Sequence, residues 1–337
     1  MRACALALGL LAAACRLESS TPPAPPQRTT ASGDLWVYTS MYRHVLDALE
    51  PALKQALPDV TVHWFQAGSE KVTARLEAEL AGGGTQCDVL ATSDPFLYAR
   101  YKSEGRWLRY TSPNAARVPR GLVDGDGAYV AVRLSTMVLV NRSGGPAPTS
   151  FAELTDGRFK DDVVVGDPLT SGTAFTWAVM MQRTHGRSYF SKLRSNGARV
   201  AGGNAAVLQK VEGGEARSGV LLLENALTAR AKGSPVEIVW PSDGAVLIPG
   251  YAGILTGTKH ADAARAFVDF LLSPEGQKII SQQGDMHAVD PKLPGPRGEA
   301  GLADLLKKSQ PWDDAALAYG VSDGPRAKAD FSQAFAR

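Results

Sequence analysis

The chain lacks a dominant charge: 36 Lys and Arg stand against 34 Asp and Glu in 337 residues, and the basic residues are scattered rather than blocked. That excludes a broad nucleic-acid or polyanion surface and leaves a small polar ligand as the simpler partner. Cysteine is scarce too, with only Cys4, Cys15 and Cys87. Cys4 and Cys15 fall in the N-terminal leader, so no internal disulfide is expected. Cys87, opening the apolar run "CDVLAT", reads as a buried thiol. The five histidines, His44, His63, His185, His260 and His287, are dispersed, and none has metal-ligand spacing with another. There is no H-E-x-x-H pair, Walker A loop or dinucleotide fingerprint. An enzyme is therefore not expected. A hydrolase, the rival of another class, would need a nucleophile and base brought together across the fold. No repeat of fixed period is present, which sets aside solenoids and propellers.

What is there begins with a leader. "MRACALALGLLAAAC" has Arg2, an apolar stretch and small residues up to Cys15. This is a secretory signal layout, too short to span a membrane permanently. Ala12-Ala13-Ala14-Cys15 resembles a bacterial lipobox, from which residues 1–15 are expected to be a lipoprotein signal peptide and Cys15 the lipidated residue, the alternative being an ordinary cleaved signal with a chance Cys. The Pro, Ser and Thr of 16–33 predict a solvated tether. The expected location is periplasmic or extracytoplasmic, lipid-anchored to a bacterial membrane.

From residue 34, short β-rich runs alternate with helical ones. "DLWVYTS", "DVTVHWFQ" and "CDVLATS" read as strands, and "YRHVLDALEPALKQAL", "SEKVTARLEAELAG" and "PFLYARYKSEG" as helices. The alternation predicts a mostly parallel sheet covered on both faces, with ligands bound at the carboxyl ends of its strands. Those ends carry Thr39-Ser40 with Tyr42 beyond, Ser69-Glu70, and Thr92-Ser93-Asp94. Singly each hydroxyl is a helix cap, the simpler reading for Ser69; together they form half of a cleft.

Two β-rich stretches are unusually long, "GAYVAVRLSTMVLVNRS" and "VEIVWPSDGAVLIPGYAGILT", each suited to crossing between lobes. Two crossings predict two lobes with a ligand between them. Lobe 1 is expected over 34–130 plus 245–290, and lobe 2 over 131–244 plus 291–337. "ADAARAFVDFLLSPEGQKIISQQG" predicts two amphipathic helices broken at Pro274. In "GDPLTSGTAFTW", residues 166–177, small hydroxyl and glycine residues open a helix: Ser171, Gly172 and Thr173. Free backbone N–H groups at such a start bind anions, although a hydroxyl there also simply caps the helix.

"LWVYTS", "CDVLATSDPF", "FAELTDGRFKDDVVVGDPLTSGTAF", "NAAVLQKVEGGEARSGVLL" and "IVWPSDGAVLIPGYAGILTGTKHADAARAFVDFLLSPEGQKII" together resemble ABC-importer solute-binding proteins of the ferric-ion and phosphonate type. The resemblance implies an α/β, two-lobed periplasmic-binding-protein fold of type II kind, each lobe a mostly parallel sheet flanked by helices, with a hinge of two crossing strands. It implies a monomer that captures a solute and hands it to a permease and ATPase, and an anion held at Ser171, Gly172 and Thr173. Ferric members place paired tyrosines where this chain has Glu224-Asn225-Ala226; their first-lobe ligand aligns with Tyr42 and their acidic one with Ser93 or Asp94. A variant iron site would use Tyr42, Asp94 and Glu224, all oxygen donors. The preferred expectation is a small anion carrying phosphate, phosphonate or carboxylate, bound with no cofactor by Ser40, Tyr42, Ser69, Ser93, Asp94, the Ser171 turn, Glu224 and Asn225. Glu224 then accepts from an amine or hydroxyl of the ligand, or is simply a surface carboxylate. A sensory lipoprotein with the same fold is a further alternative.

Overall fold

The structure, a computed structural model, describes residues 31–336. The signal peptide, Cys15 and most of the tether lie outside the described residues. Strands and helices first alternate in β1 (Gly33–Thr39), α1 (Arg43–Ala56), β2 (Val60–Gln66), α2 (Ser69–Ala81), β3 (Val89–Thr92) and α3 (Pro95–Ser103). A helix between two strands returns the chain to the edge where it started. β1 accordingly pairs in parallel with both β2 and β3. In α1 the buried residues are Val45, Leu46, Leu49 and Leu53, a stripe at helical spacing facing the sheet.

After the short β4 (Trp107–Leu108) comes β5 (Val130–Arg142), thirteen residues buried almost throughout. A second alternation follows: β6 (Val163–Gly166), α4 (Gly172–His185), α5 (Tyr189–Ser195), β7 (Arg199–Ala201), α6 (Asn204–Glu212), β8 (Ser218–Leu222) and α7 (Leu223–Ala231). β6 pairs in parallel with β7 and β8. The long β-rich stretch over 236–256 forms two strands, β9 (Val236–Val239) and β10 (Val246–Leu255). Between them Pro241 and Gly244 break the ladder. Gly244 takes φ +90°, and a side chain there would press on the backbone of Gln310.

The sheet runs β2-β1-β3-β10-β5-β8-β6-β7, with β10 and β5 antiparallel at its centre. The fold is thus two-lobed: a parallel sheet of three strands lies on each side of two crossing strands. Each crossing strand passes its side chains from one core to the next. Val130, Val132 and Leu134 pack with Leu35, Leu46 and Val89, whereas Met137 and Leu139 pack with Val163 and Trp177. β5 is buried along almost its whole length, its apolar residues interrupted by Arg133, Ser135, Thr136 and Asn141.

α8 (Ala261–Leu271) and α9 (Pro274–Gln282) are the amphipathic pair, separated at Ser273, whose Oγ caps α9 by accepting from Gly276 N at 3.1 Å. α10 (Leu302–Lys308) buries Leu302 and Leu305 in the first core, although the boundary read from the sequence put everything beyond 290 in the second lobe. α11 (Asp314–Phe335) packs Phe331 into the second core and reaches the first lobe at Phe96. No described helix is long and apolar enough to cross a membrane.

Candidate ligand-binding site

A cavity of about 230 Å³ lies where the two halves of the sheet face each other. Its wall is made largely of helix starts: Met41 and Tyr42 before α1, Gly68 and Ser69 at α2, Ser93 ahead of α3, Ser171–Thr173 at α4, Gly203–Ala205 at α6 and Glu224 in the first turn of α7. Parallel strands put every strand-to-helix turn at the same edge, so unpaired N–H groups and the positive ends of helix dipoles gather there.

Ser40, Tyr42, Ser69, Ser93, Ser171, Gly172, Thr173 and Glu224, expected from the sequence, all line this cavity. Ser93 N donates to Ser40 Oγ at 3.2 Å and to Ser69 Oγ at 3.3 Å, tying three strand ends together. Ser69 is not the cap expected of it: Gly68 is the N-cap of α2, and the Ser69 hydroxyl turns to Ser93 instead. Ser171 does cap α4, accepting from Ala174 N at 3.4 Å, and is 3.1 Å from Thr173 Oγ1. Capping and cavity lining therefore coexist in one residue.

Two expected residues do not line the cavity. Asp94, next to Ser93, caps α3 by accepting from Leu97 N at 3.3 Å and faces a separate pocket with Glu70, Phe96 and Lys328. Burial and the neighbouring Glu70 push its carboxyl up to about 6. Asn225 opens onto the adjoining cavity beyond Tyr42, accepting from the Tyr42 hydroxyl at 2.9 Å. The trio of Tyr42, Asp94 and Glu224 is thus not assembled around one point. Among the described residues no group of three His, Cys, Asp or Glu is placed to hold a metal. Burial and the nearby Glu224 push the Tyr42 phenol up to about 12, so it is a neutral hydroxyl at physiological pH.

The strongest charge in the cavity was not foreseen. Arg133, on β5, is 3 % exposed and lines its floor. Nη1 donates to Ser135 Oγ at 3.1 Å and contacts Met286 Sδ at 3.6 Å. Nη2 donates to Ser40 Oγ at 3.3 Å, and Nε has no partner among the described residues. Burial lowers its pKa, opposed by Glu224. Glu224, also 3 % exposed, accepts from Ser135 Oγ at 2.7 Å. Burial pushes its carboxyl up to about 7, with Ser135 and Arg133 acting in the other direction. Near neutral pH the site therefore carries a full positive charge and a partly protonated acid. A buried guanidinium costs several kcal/mol unless charge-matched, and an incoming anion would match it. Asn204 was also missed; its Nδ2 donates to Thr173 Oγ1 at 3.0 Å. The sequence signal for Arg133 is a lone cation inside the apolar run "VAVRLSTMV".

Two lobes joined by two crossing strands around a polar, positively charged cavity define a solute-binding protein. Residues 86–301 match the bacterial extracellular solute-binding proteins, and the chain belongs to that family. It is 25% identical over 285 residues, 78% of this chain and 81% of the relative, to a Salmonella typhimurium protein named "Putative 2-aminoethylphosphonate-binding periplasmic protein". Its fold resembles that of the periplasmic binding protein AfuA from Actinobacillus pleuropneumoniae, solved with fructose-6-phosphate (TM-score 0.78, 23% identity, covering 90% of this chain and 98% of that one). It also resembles iron-bound HitA from Pseudomonas aeruginosa (TM-score 0.77, 20% identity, covering 88% and 99%). These relatives are binding proteins.

Proposed function

We propose that this chain captures a small organic phosphonate or phosphate ester carrying an amine or hydroxyl, and delivers it to the permease and ATPase of an ABC importer. The observation that carries this reading is the buried guanidinium of Arg133, without a salt-bridge partner among the described residues, facing a cavity ringed by hydroxyls and helix starts. The anion's oxygens accept from Arg133, from Ser40, Ser69, Ser171 and Thr173, and from N–H groups at the start of α4. Glu224, joined to Arg133 through the Ser135 hydroxyl, accepts from the amine or hydroxyl. 2-Aminoethylphosphonate, after which the Salmonella typhimurium relative is named, has this pairing of anion and ammonium, which makes it the first probe.

The lobes close at Gly172, where a side chain would come within 2.8 Å of Ser69 Cβ. In this reading the moving bodies are the two lobes, with α10 travelling with the first. The protein works without a resident cofactor, as a monomer held to the membrane on the periplasmic side by a lipid on Cys15.

Thermal shift of the purified protein tests the ligand. A ligand at a hundred times its dissociation constant stabilises by about 2.7 kcal/mol, a shift of a few degrees at this size. Melting raised by 2-aminoethylphosphonate and not by ferric citrate supports the reading. A response to ferric ion alone replaces it with an iron site. Cys15→Ser is expected to move the protein from the membrane fraction to the soluble one, and continued membrane association would rule out the anchor.

A further inference from the structure

Arg133 of β5 and Gly250 of β10 are register partners on the two crossing strands, and the ladder slips between Gly250 and Tyr251. A Cβ on residue 250 would lie 2.7 Å from Arg133 Cγ and 2.9 Å from both Cζ and Nε. These atoms include the stem of the side chain and not only its tip, so the whole arm would have to swing. Gly250 is not among the glycines with positive φ, so the backbone does not require glycine there; the space does. The guanidinium thus lies against the bare backbone of the second crossing strand, with Ser40, Ser135 and Met286 around it.

We propose that Gly250 is a positioning residue for anion recognition: its missing side chain lets Arg133 fold across both hinge strands and aim its guanidinium into the cavity. The proposal rests on the anion reading above. A side chain at 250 turns the guanidinium away. The site then discriminates less between a phosphonate, which carries up to two negative charges, and a sulfonate of the same shape, which carries one.

The test is a double-mutant cycle with Gly250→Ala, Arg133→Ala and the pair, titrated calorimetrically with 2-aminoethylphosphonate and with its sulfonate analogue taurine. Gly250→Ala is expected to weaken phosphonate binding about ten- to a hundredfold, the loss of a charge-assisted contact, and taurine binding by less. On the Arg133→Ala background the same change is expected to do nothing further, because nothing is left to displace. Losses that multiply in the double variant overturn the positioning role, as does wild-type affinity in Gly250→Ala. Should Gly250→Ala fold poorly, the melting temperature decides. Arg133→Ala removes the clash and is expected to restore it, and a double variant as unstable as the single one overturns the proposal. A wild-type protein that binds no phosphonate defeats the anion reading itself and takes the proposal with it. That outcome is visible before any variant is made.

Discussion

Replacing Glu224 by Gln should remove the site's own contribution to the pH dependence of solute binding. The Glu224 carboxyl sits at about 7 against an ordinary 4.5, chiefly because it is buried. An acid whose pKa is raised on folding holds its proton more tightly in the folded state. Its stabilising contribution is therefore complete below pH 4.5 and is lost as pH rises through about 7. By pH 8 the ligand-free protein carries a penalty of about 3 kcal/mol from this one group. Glu224→Gln keeps an acceptor for Ser135 and removes the ionisation. It should melt above the wild type at pH 8 and level with it below pH 4.5. An ammonium docked on Glu224 reverses the preference by stabilising the carboxylate, so binding expels a proton wherever the free site holds one. About nine-tenths of the sites are protonated at pH 6 and about a tenth at pH 8, which makes wild-type affinity for 2-aminoethylphosphonate rise by about tenfold across that range. The anion's own second ionisation, near pH 6 for a phosphate ester, adds the same slope to both proteins, so the difference isolates Glu224. Calorimetry in two buffers of different ionisation enthalpy counts the protons directly. Identical pH slopes in the wild type and Glu224→Gln would refute the reasoning.

Gly172→Ala places a methyl against Ser69 where the lobes meet; solute affinity should fall by about tenfold or more while the solute-free protein melts within a degree or two of wild type, checked by calorimetry and thermal unfolding. Ser171→Ala removes the α4 cap and should lower stability by about 1 kcal/mol in denaturant titration as well as weakening binding, whereas a stability loss alone would make Ser171 only a cap. Tyr42→Phe removes a hydroxyl that donates to Asn225 and is expected to weaken phosphonate binding by less than Arg133→Ala does. A ferric-tyrosinate absorption band in the wild type, lost in Tyr42→Phe, would instead make this phenol an iron ligand.

Much of the architecture was legible in the chain because it rests on local rules. The 3.6-residue stripe of α1, the Pro274 break and the long β-rich stretch of β5 each follow from neighbours in sequence. The β-rich stretch 236–256 splits into β9 and β10 at Pro241 and Gly244, although both strands pair antiparallel with β5. In the site, the hydroxyls at strand ends were legible because parallel strands put all such ends on one edge. Direction was harder. Ser93 and Asp94 are adjacent, yet one lines the cavity and the other caps α3. Glu224 and Asn225 are adjacent on α7, and one helical step of about 100° carries Asn225 to the neighbouring cavity.

The sequence by itself determined the alternation, the two crossings and the kind of residue at each strand end, since these depend on periodicity and on residues a few places apart. Only the tertiary structure decided the electrostatics. Arg133 enters the cavity because Gly250, on the other crossing strand, leaves it room. Glu224 titrates near neutrality because distant parts of the chain shield it from water, with Ser135, its hydrogen-bond donor, 89 residues away. Desolvation is a property of everything packed around a group, and no stretch of neighbouring residues contains it.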